Sequence, residues 1–289
     1  MQSFAGLSHD SVLRVMTDDG AFRIIATRTT DTVKGAARSQ DARGNTARRF
    51  GELLTAAVLF RETMAPQLRV QNILKTSDGR ASVVADSHPS GKTRGLVHLS
   101  RGADGVDLKD GATLRVMRSL PGGRINQGVV EVPAQGTVSE ALMAYMQTSE
   151  QVISMLTVGC VCDAAGAVQQ AGGYMVQLLP EVGREPLSQL TERLSGLAPM
   201  ETELSGAFSP RAWVQGLLFD MPFTELGESS VGFGCWCSEV RVLSTLAALG
   251  RADIEDLLRD GEVLEIACDY CRREYRILPA QLRGLLDPS

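Results

Sequence analysis

Two apolar periods alternate along this chain, and the places where one gives way to the other mark its elements. Residues 22–27 alternate like a strand. Asp31 or Thr32 is placed to cap a short helix through Ala37, and Asn45 a longer one. In that longer helix Phe50, Leu53, Leu54 and Ala57 recur at i, i+3, i+4 and i+7, which predicts one apolar face against a core. Short apolar runs follow at 68–74, 82–85, 95–99, 114–117 and 128–132. They are separated by Ser77-Asp78-Gly79, Pro89-Ser90-Gly91 and Pro121-Gly122-Gly123. This is hairpin punctuation rather than strand–helix–strand alternation. A helix is predicted over 139–146, then two strands, 155–162 and 168–179, around Asp163-Ala164-Ala165-Gly166.

The texture changes after about residue 180. Pro186 can start a helix with Leu187, Leu190, Leu194 and Leu197 on one stripe, and Pro210 another carrying Trp213, Leu217 and Leu218. Helices this short are unstable alone. They are either amphipathic scaffold packed on the first domain or a marginally docked segment that a switch releases, and both readings stand at this level. Leu190, Leu194, Trp213 and Leu217 are the expected docking residues.

The last stretch carries the candidate chemistry. Cys235-Trp236-Cys237 and Cys268-Asp269-Tyr270-Cys271 are two close pairs separated by thirty residues. Two chelating turns joined by a long insert suit a closed tetrahedral four-thiolate zinc site. Disulfides would be structural only in an oxidising compartment. A thioredoxin-type pair should open a helix, whereas Arg272 to Ile277 alternates like a strand. Four buried apolar cysteines are the remaining alternative. Residues 231–289 are too few to rely on their own core, so a staple is expected. Ser238 is placed to cap a helix through Leu249, a second is predicted over 253–259, residues 262–267 read as a strand, and Pro279 can open a last helix. The predicted class is therefore α+β: a mixed α/β domain with antiparallel-rich sheets (1–180), a helical linker (181–230) and a small zinc-binding domain (231–289). One zinc per chain is expected in the reduced state.

The cysteine spacing, with Cys237-Ser238-Glu239 and Cys271-x3-Tyr275, resembles the thirty-three-kilodalton heat-shock protein family, bacterial redox-regulated holdase chaperones. Ser149-Glu150-Gln151, Ala171-Gly172-Gly173 and Gln177-Leu178-Leu179-Pro180 resemble that family's N-terminal signature, and Asn126-Gln127-Gly128-Val129-Val130-Glu131 is a looser match. The resemblance implies that Cys235, Cys237, Cys268 and Cys271 hold zinc when reduced and form two disulfides between neighbours when oxidised. It further implies a linker that unfolds on oxidation, an ATP-independent holdase rather than an enzyme, unfolded proteins as clients of the first domain, and a homodimer when oxidised.

Composition adjusts this picture at a few points. A hydrophobic content of 44% and charge content of 22% are those of a globular protein. No apolar run approaches membrane-spanning length, and Met1-Gln2-Ser3-Phe4 lacks a signal pattern, so a cytoplasmic protein with no membrane partner is expected. Residues 231–289 hold seven Arg and no Lys against ten Asp plus Glu. That disfavours nucleic acid and with it a zinc-ribbon transcription adaptor; a thiol oxidoreductase is the other rival. Asp86 to Thr93 ends like a phosphate-binding loop, yet it lacks the first glycine and a following helix. Cys160 and Cys162 depart from the family pattern. At i, i+2 in a strand they face one side, as buried strand residues or as auxiliary thiols.

Overall fold

The structure, a computed structural model, describes residues 10–286 except 104, 134–135, 180–183, 207 and 260; for 121 and 184–187 it describes the backbone alone. The proposed stripe position of Leu187 and the N-terminal residues read above lie outside what is described. The chain divides into two compact units, one ending at Gly234 and one beginning at Cys235.

The first unit opens with an antiparallel pair, β1 (Ser11–Thr17) and β2 (Phe22–Arg28). Their turn is Asp18-Asp19-Gly20, where the Ala21 amide donates to the Asp19 carboxylate at 2.9 Å. Helices α1 (Thr30–Ser39) and α2 (Gly44–Arg61) follow. Strands β3 (Val70–Lys75), β4 (Ala81–Ser87), β5 (Lys92–Leu99), β6 (Thr113–Ser119) and β7 (Ile125–Glu131) then build a second sheet in the order β5-β4-β3-β6-β7, all neighbours antiparallel. Helix α3 (Val138–Tyr145) begins with a capping box between Thr137 and Glu140. The chain returns to the first sheet as β8 (Ser154–Cys162) and β9 (Val168–Leu178).

Helix α2 departs from the single apolar face read from its sequence. Every residue from Phe50 to Arg61 is buried. The helix lies between the two sheets, touching β2, β8 and β9 on one side and β3, β4 and β5 on the other. A helix sandwiched this way tolerates polar side chains only in pairs: Glu52 takes a 2.9 Å bond from Arg49, and the Thr55 and Thr29 hydroxyls are 2.6 Å apart. The phosphate-loop look-alike is the β4–β5 turn, closed by the His88 amide on the Lys92 carbonyl at 2.9 Å. Its Asp86 is buried between Arg69 and Arg94.

Residues after 180 contribute α4 (Arg184–Ser195), α5 (Met200–Ser205) and α6 (Pro210–Leu217), then β10 (Phe223–Ser230) and β11 (Gly232–Phe233). An all-helical 181–230 is therefore corrected: its last eight residues form a strand that adds antiparallel to β1. Phe223–Ser230 is too polar to announce a strand; the free ladder of β1 makes it one. The first sheet thus runs β10-β1-β2-β9-β8, and β11 joins β5 in parallel.

The second unit holds α7 (Glu239–Leu246), α8 (Arg251–Arg259), the hairpin β12 (Leu264–Ala267) with β13 (Glu274–Ile277), and α9 (Pro279–Gly284). Ser238 caps α7, its hydroxyl accepting from the Arg241 amide at 3.3 Å. Among the described residues, no helix is long and apolar enough to cross a membrane.

Candidate metal and redox centre

Cys235 and Cys237 lie in the irregular stretch that leads into the Ser238 cap; Cys268 and Cys271 lie in the β12–β13 turn. In that turn the Cys268 amide donates to the Arg273 carbonyl and the Arg272 amide to the Cys268 carbonyl, both at 2.8 Å. This curls the chain around the Cys268 sulfur. Arg272, directly after the pair, sits at φ +58°, a conformation non-glycine residues rarely take. The four sulfurs converge. Cys235 and Cys268 are 3.8 Å apart, Cys237 and Cys271 3.5 Å, and all four lie within 4.8 Å of one another.

A tetrahedron with metal–sulfur bonds of about 2.3 Å has sulfur–sulfur edges of about 3.8 Å, so the donor set fits a zinc ion in both chemistry and size. The Tyr275 hydroxyl donates to the Cys237 sulfur at 3.0 Å, the kind of outer contact that orients a ligand. Residue order places Tyr275 four positions after Cys271; its contact with Cys237 is made only by the fold.

Four thiols this close cannot all ionise unaided. Burial pushes the Cys237 thiol up, but hydrogen bonds from Tyr275 and the neighbouring sulfurs outweigh it and hold Cys237 down at about 7. Burial, followed by proton sharing with Cys237 and the charge of Cys235, pushes Cys271 up to about 12. A cation is what lets the whole set be thiolate. Among the described residues of this unit, Leu246, Ile254, Ile277 and Leu282 are buried, ringed by half-buried apolar side chains such as Val242, Leu257 and Ile266.

A second arrangement involves the linker helices. Leu190, Trp213 and Leu217 are buried against Leu13, Val15, Phe22, Ile24 and Tyr174 on the outer face of the first sheet, and Leu194 is half-buried at the margin. Trp213 stacks on Tyr174 with centroids 4.0 Å apart and planes at 22°. Cross-strand partners Gly159 and Gly172 leave a hollow for α5. A Cβ on Gly159 would stand 3.0 Å from Met200, and one on Gly172 would stand 3.2 Å from Leu204. The packing is imperfect: the Trp213 Nε1 is buried with no acceptor, and an open hollow of about 220 Å³ remains beside Leu190 and Leu194.

Cys160 and Cys162 take no part in the four-sulfur cluster. Both face the core side, near the carbonyls of Ala47 and Gly44 at the start of α2, each at 3.9 Å, and Cys160 is buried. Their mutual hydrogen bond raises the Cys160 thiol and lowers that of Cys162.

A family profile described as Hsp33 protein matches residues 10–278. Curated relatives named 33 kDa chaperonin include one from Syntrophotalea carbinolica, 27% identical over 96% of this chain and 99% of its own length. Another, from Bacillus subtilis, is 25% identical over 97% of this chain and 99% of its own. The crystal structure of the 33 kDa chaperonin (heat shock protein 33 homolog) from Thermotoga maritima shares the fold, with a TM-score of 0.80 at 21% identity, covering 96% of this chain and 98% of that one. With the profile spanning nearly all of the described residues, the chain belongs to the Hsp33 protein family.

Proposed function

We propose that this chain is an ATP-independent holdase chaperone, held inactive while its four cysteines are reduced and zinc-bound, and activated by thiol oxidation. The observation that carries this is the convergence of Cys235, Cys237, Cys268 and Cys271 within 4.8 Å in a unit with a small buried core. A unit of this size depends on such a staple. Zinc, when bound, keeps all four sulfurs as thiolates, and structural zinc contributes about 10–16 kcal/mol in small peptides.

The thiolates are also the form that peroxide attacks. One sulfur takes an oxygen from the peroxide, giving a sulfenic acid and water. A neighbouring thiolate then attacks that sulfur; a disulfide forms and the oxygen leaves as a second water after protonation. A disulfide sulfur is a poor ligand, so the staple is lost with the thiolates. Cys235 follows Gly234 in the chain, and Gly234 follows β10 and β11 closely. Loss of order in the second unit then leaves this end of the linker held by the β11–β5 pairing, the Gly234 amide on the Thr93 carbonyl at 3.1 Å and buried Val231.

Docking of that linker is marginal in this reading. Trp213 carries an unanswered N–H and α4 packs beside a hollow. The apolar face under α4–α6 would then be exposed for unfolded client proteins. Clients are held without turnover, and a cytoplasmic setting and an oxidised homodimer belong to the same reading. The test is zinc content and aggregation suppression measured side by side, before and after peroxide treatment at raised temperature. Zinc release without suppression, or suppression by the zinc-bound reduced protein, would overturn it.

A further inference from the structure

We propose that the edge of β1 vacated by β10 is a client-binding site, where an extended segment of an unfolded protein adds to the sheet as a strand. This rests on the linker release proposed above.

Strand β10 is held almost without side-chain burial. None of its eight residues is buried, and Leu226 is 49% exposed. Its pairing with β1 is broken by a bulge at Leu226, beside Gly227 at φ +149°, a conformation open to glycine and few others. What holds it is the ladder, the half-buried Phe223 ring at its first residue and a few polar contacts. Arg211 of α6 pairs with Glu225 and Glu228, Thr224 donates to Asp18 at 2.8 Å, and Arg14 donates to Ser229 at 3.2 Å. In the strand beside it, Val12 is fully buried in the inner core and Leu13 and Val15 are fully buried on the face the linker helices cover. The occupant is thus a polar strand beside an apolar one, tied through Arg211 to the helix that covers the neighbouring face. One release event clears both.

The ladder's direction is readable. The Val231 amide donates to the Asp10 carbonyl at 3.2 Å and the Asp18 amide to the Pro222 carbonyl at 3.0 Å. The β1–β2 register is unbroken from Ser11 to Met16. Val12, Arg14 and Met16 therefore turn their amides and carbonyls toward β10, while Leu13 and Val15 turn theirs toward β2. Once β10 leaves, those three residues present unpaired backbone groups beside the apolar face of Leu13, Val15, Phe22 and Ile24. Strand addition on such an edge takes its affinity from main-chain bonds and so tolerates any sequence, with alternate apolar side chains reaching the face. That is the chemistry of an unfolded client. Among the described residues, β1 is the one sheet edge that 181–230 covers, so it is the edge that release of this segment would open.

Hydrogen exchange of the full-length chain, read residue by residue, tests this, with carboxymethylated α-lactalbumin as a permanently unfolded client. The amides of Val12, Arg14 and Met16 should be protected in the reduced protein, exchange about a hundredfold faster after oxidation, and slow again about tenfold or more when client is bound. Those of Leu13 and Val15 should stay protected throughout. Client bound with the three amides still fast, loss of protection at Leu13 and Val15, or concentration-dependent protection without client, which marks a second copy on the edge, would each overturn the proposal. Failure to bind client at all, or equal exchange before and after oxidation, would instead sink the linker-release reading beneath it. Two proline variants give an independent readout. Thr224→Pro disables the outgoing strand only and should capture client under reducing conditions. Met16→Pro removes a donor from the edge itself, so it should release the linker yet capture client at least about tenfold more weakly than Thr224→Pro. Equal capture by the two would contradict strand addition.

Discussion

Trp213→Ala probes the linker latch directly. The ring is buried between α6 and the first sheet and stacked on Tyr174. Removing a buried Trp side chain costs about 3–5 kcal/mol, of which about 0.5–1.5 is the ring–ring contact. Against this, the Nε1 has no acceptor, and deleting a buried unsatisfied donor recovers part of a penalty of about 1–3 kcal/mol. A net loss of about 2–3 kcal/mol follows, which shifts the docking equilibrium roughly 30- to 150-fold at about 1.4 kcal/mol per decade. If docking is favoured by only a few kcal/mol, that populates the released state with the zinc site intact. Trp213→Phe is the counter-variant, because it keeps a ring on Tyr174 and deletes the orphan N–H; its docking should be equal or tighter. The assay is aggregation suppression under reducing conditions, with zinc stoichiometry and limited proteolysis on the same samples. Trp213→Ala should be partly active, fully zinc-loaded and cut first between 181 and 230, while Trp213→Phe should be as silent as the parent. If Trp213→Ala stays inactive and protease-resistant when reduced, the linker is scaffold and the latch argument fails.

Three more outcomes are expected. Metal analysis of the reduced protein should find one zinc per chain; Cys268→Ser should bind it far more weakly and Cys160→Ser normally, so full retention in Cys268→Ser would remove the four-sulfur assignment. Tyr275→Phe deletes the hydrogen bond to the Cys237 sulfur and should weaken zinc about 10- to 100-fold in a chelator competition; unchanged affinity would make that contact incidental. Peptide mapping after peroxide should find Cys235–Cys237 and Cys268–Cys271, the pairing the family resemblance implies, whereas dominant Cys237–Cys271 links would show that the contacts of the folded cluster decide the outcome.

Local chemistry was legible from residue order alone. The two cysteine turns, the Ser238 cap, the turns at Ser77-Asp78-Gly79 and Pro89-Ser90-Gly91, and the Leu190 and Trp213 stripes each depend on side chains a few positions apart. A cap, a tight turn or a chelate loop is decided within that span. What lay beyond reach depends on groups far apart in the chain. Phe223–Ser230 is a strand because β1, about two hundred residues earlier, offers a ladder. Helix α2 is buried all round because a second sheet closes over the face its sequence leaves ambiguous. Gly159 and Gly172 read as weak points in strands until they are seen paired, making room for Met200 and Leu204. Tyr275 touches Cys237 only through the curl of the β12–β13 turn. Periodicity says which side of an element is apolar; the tertiary structure alone decides what lies against it, since that choice is made by packing and backbone pairing between distant segments.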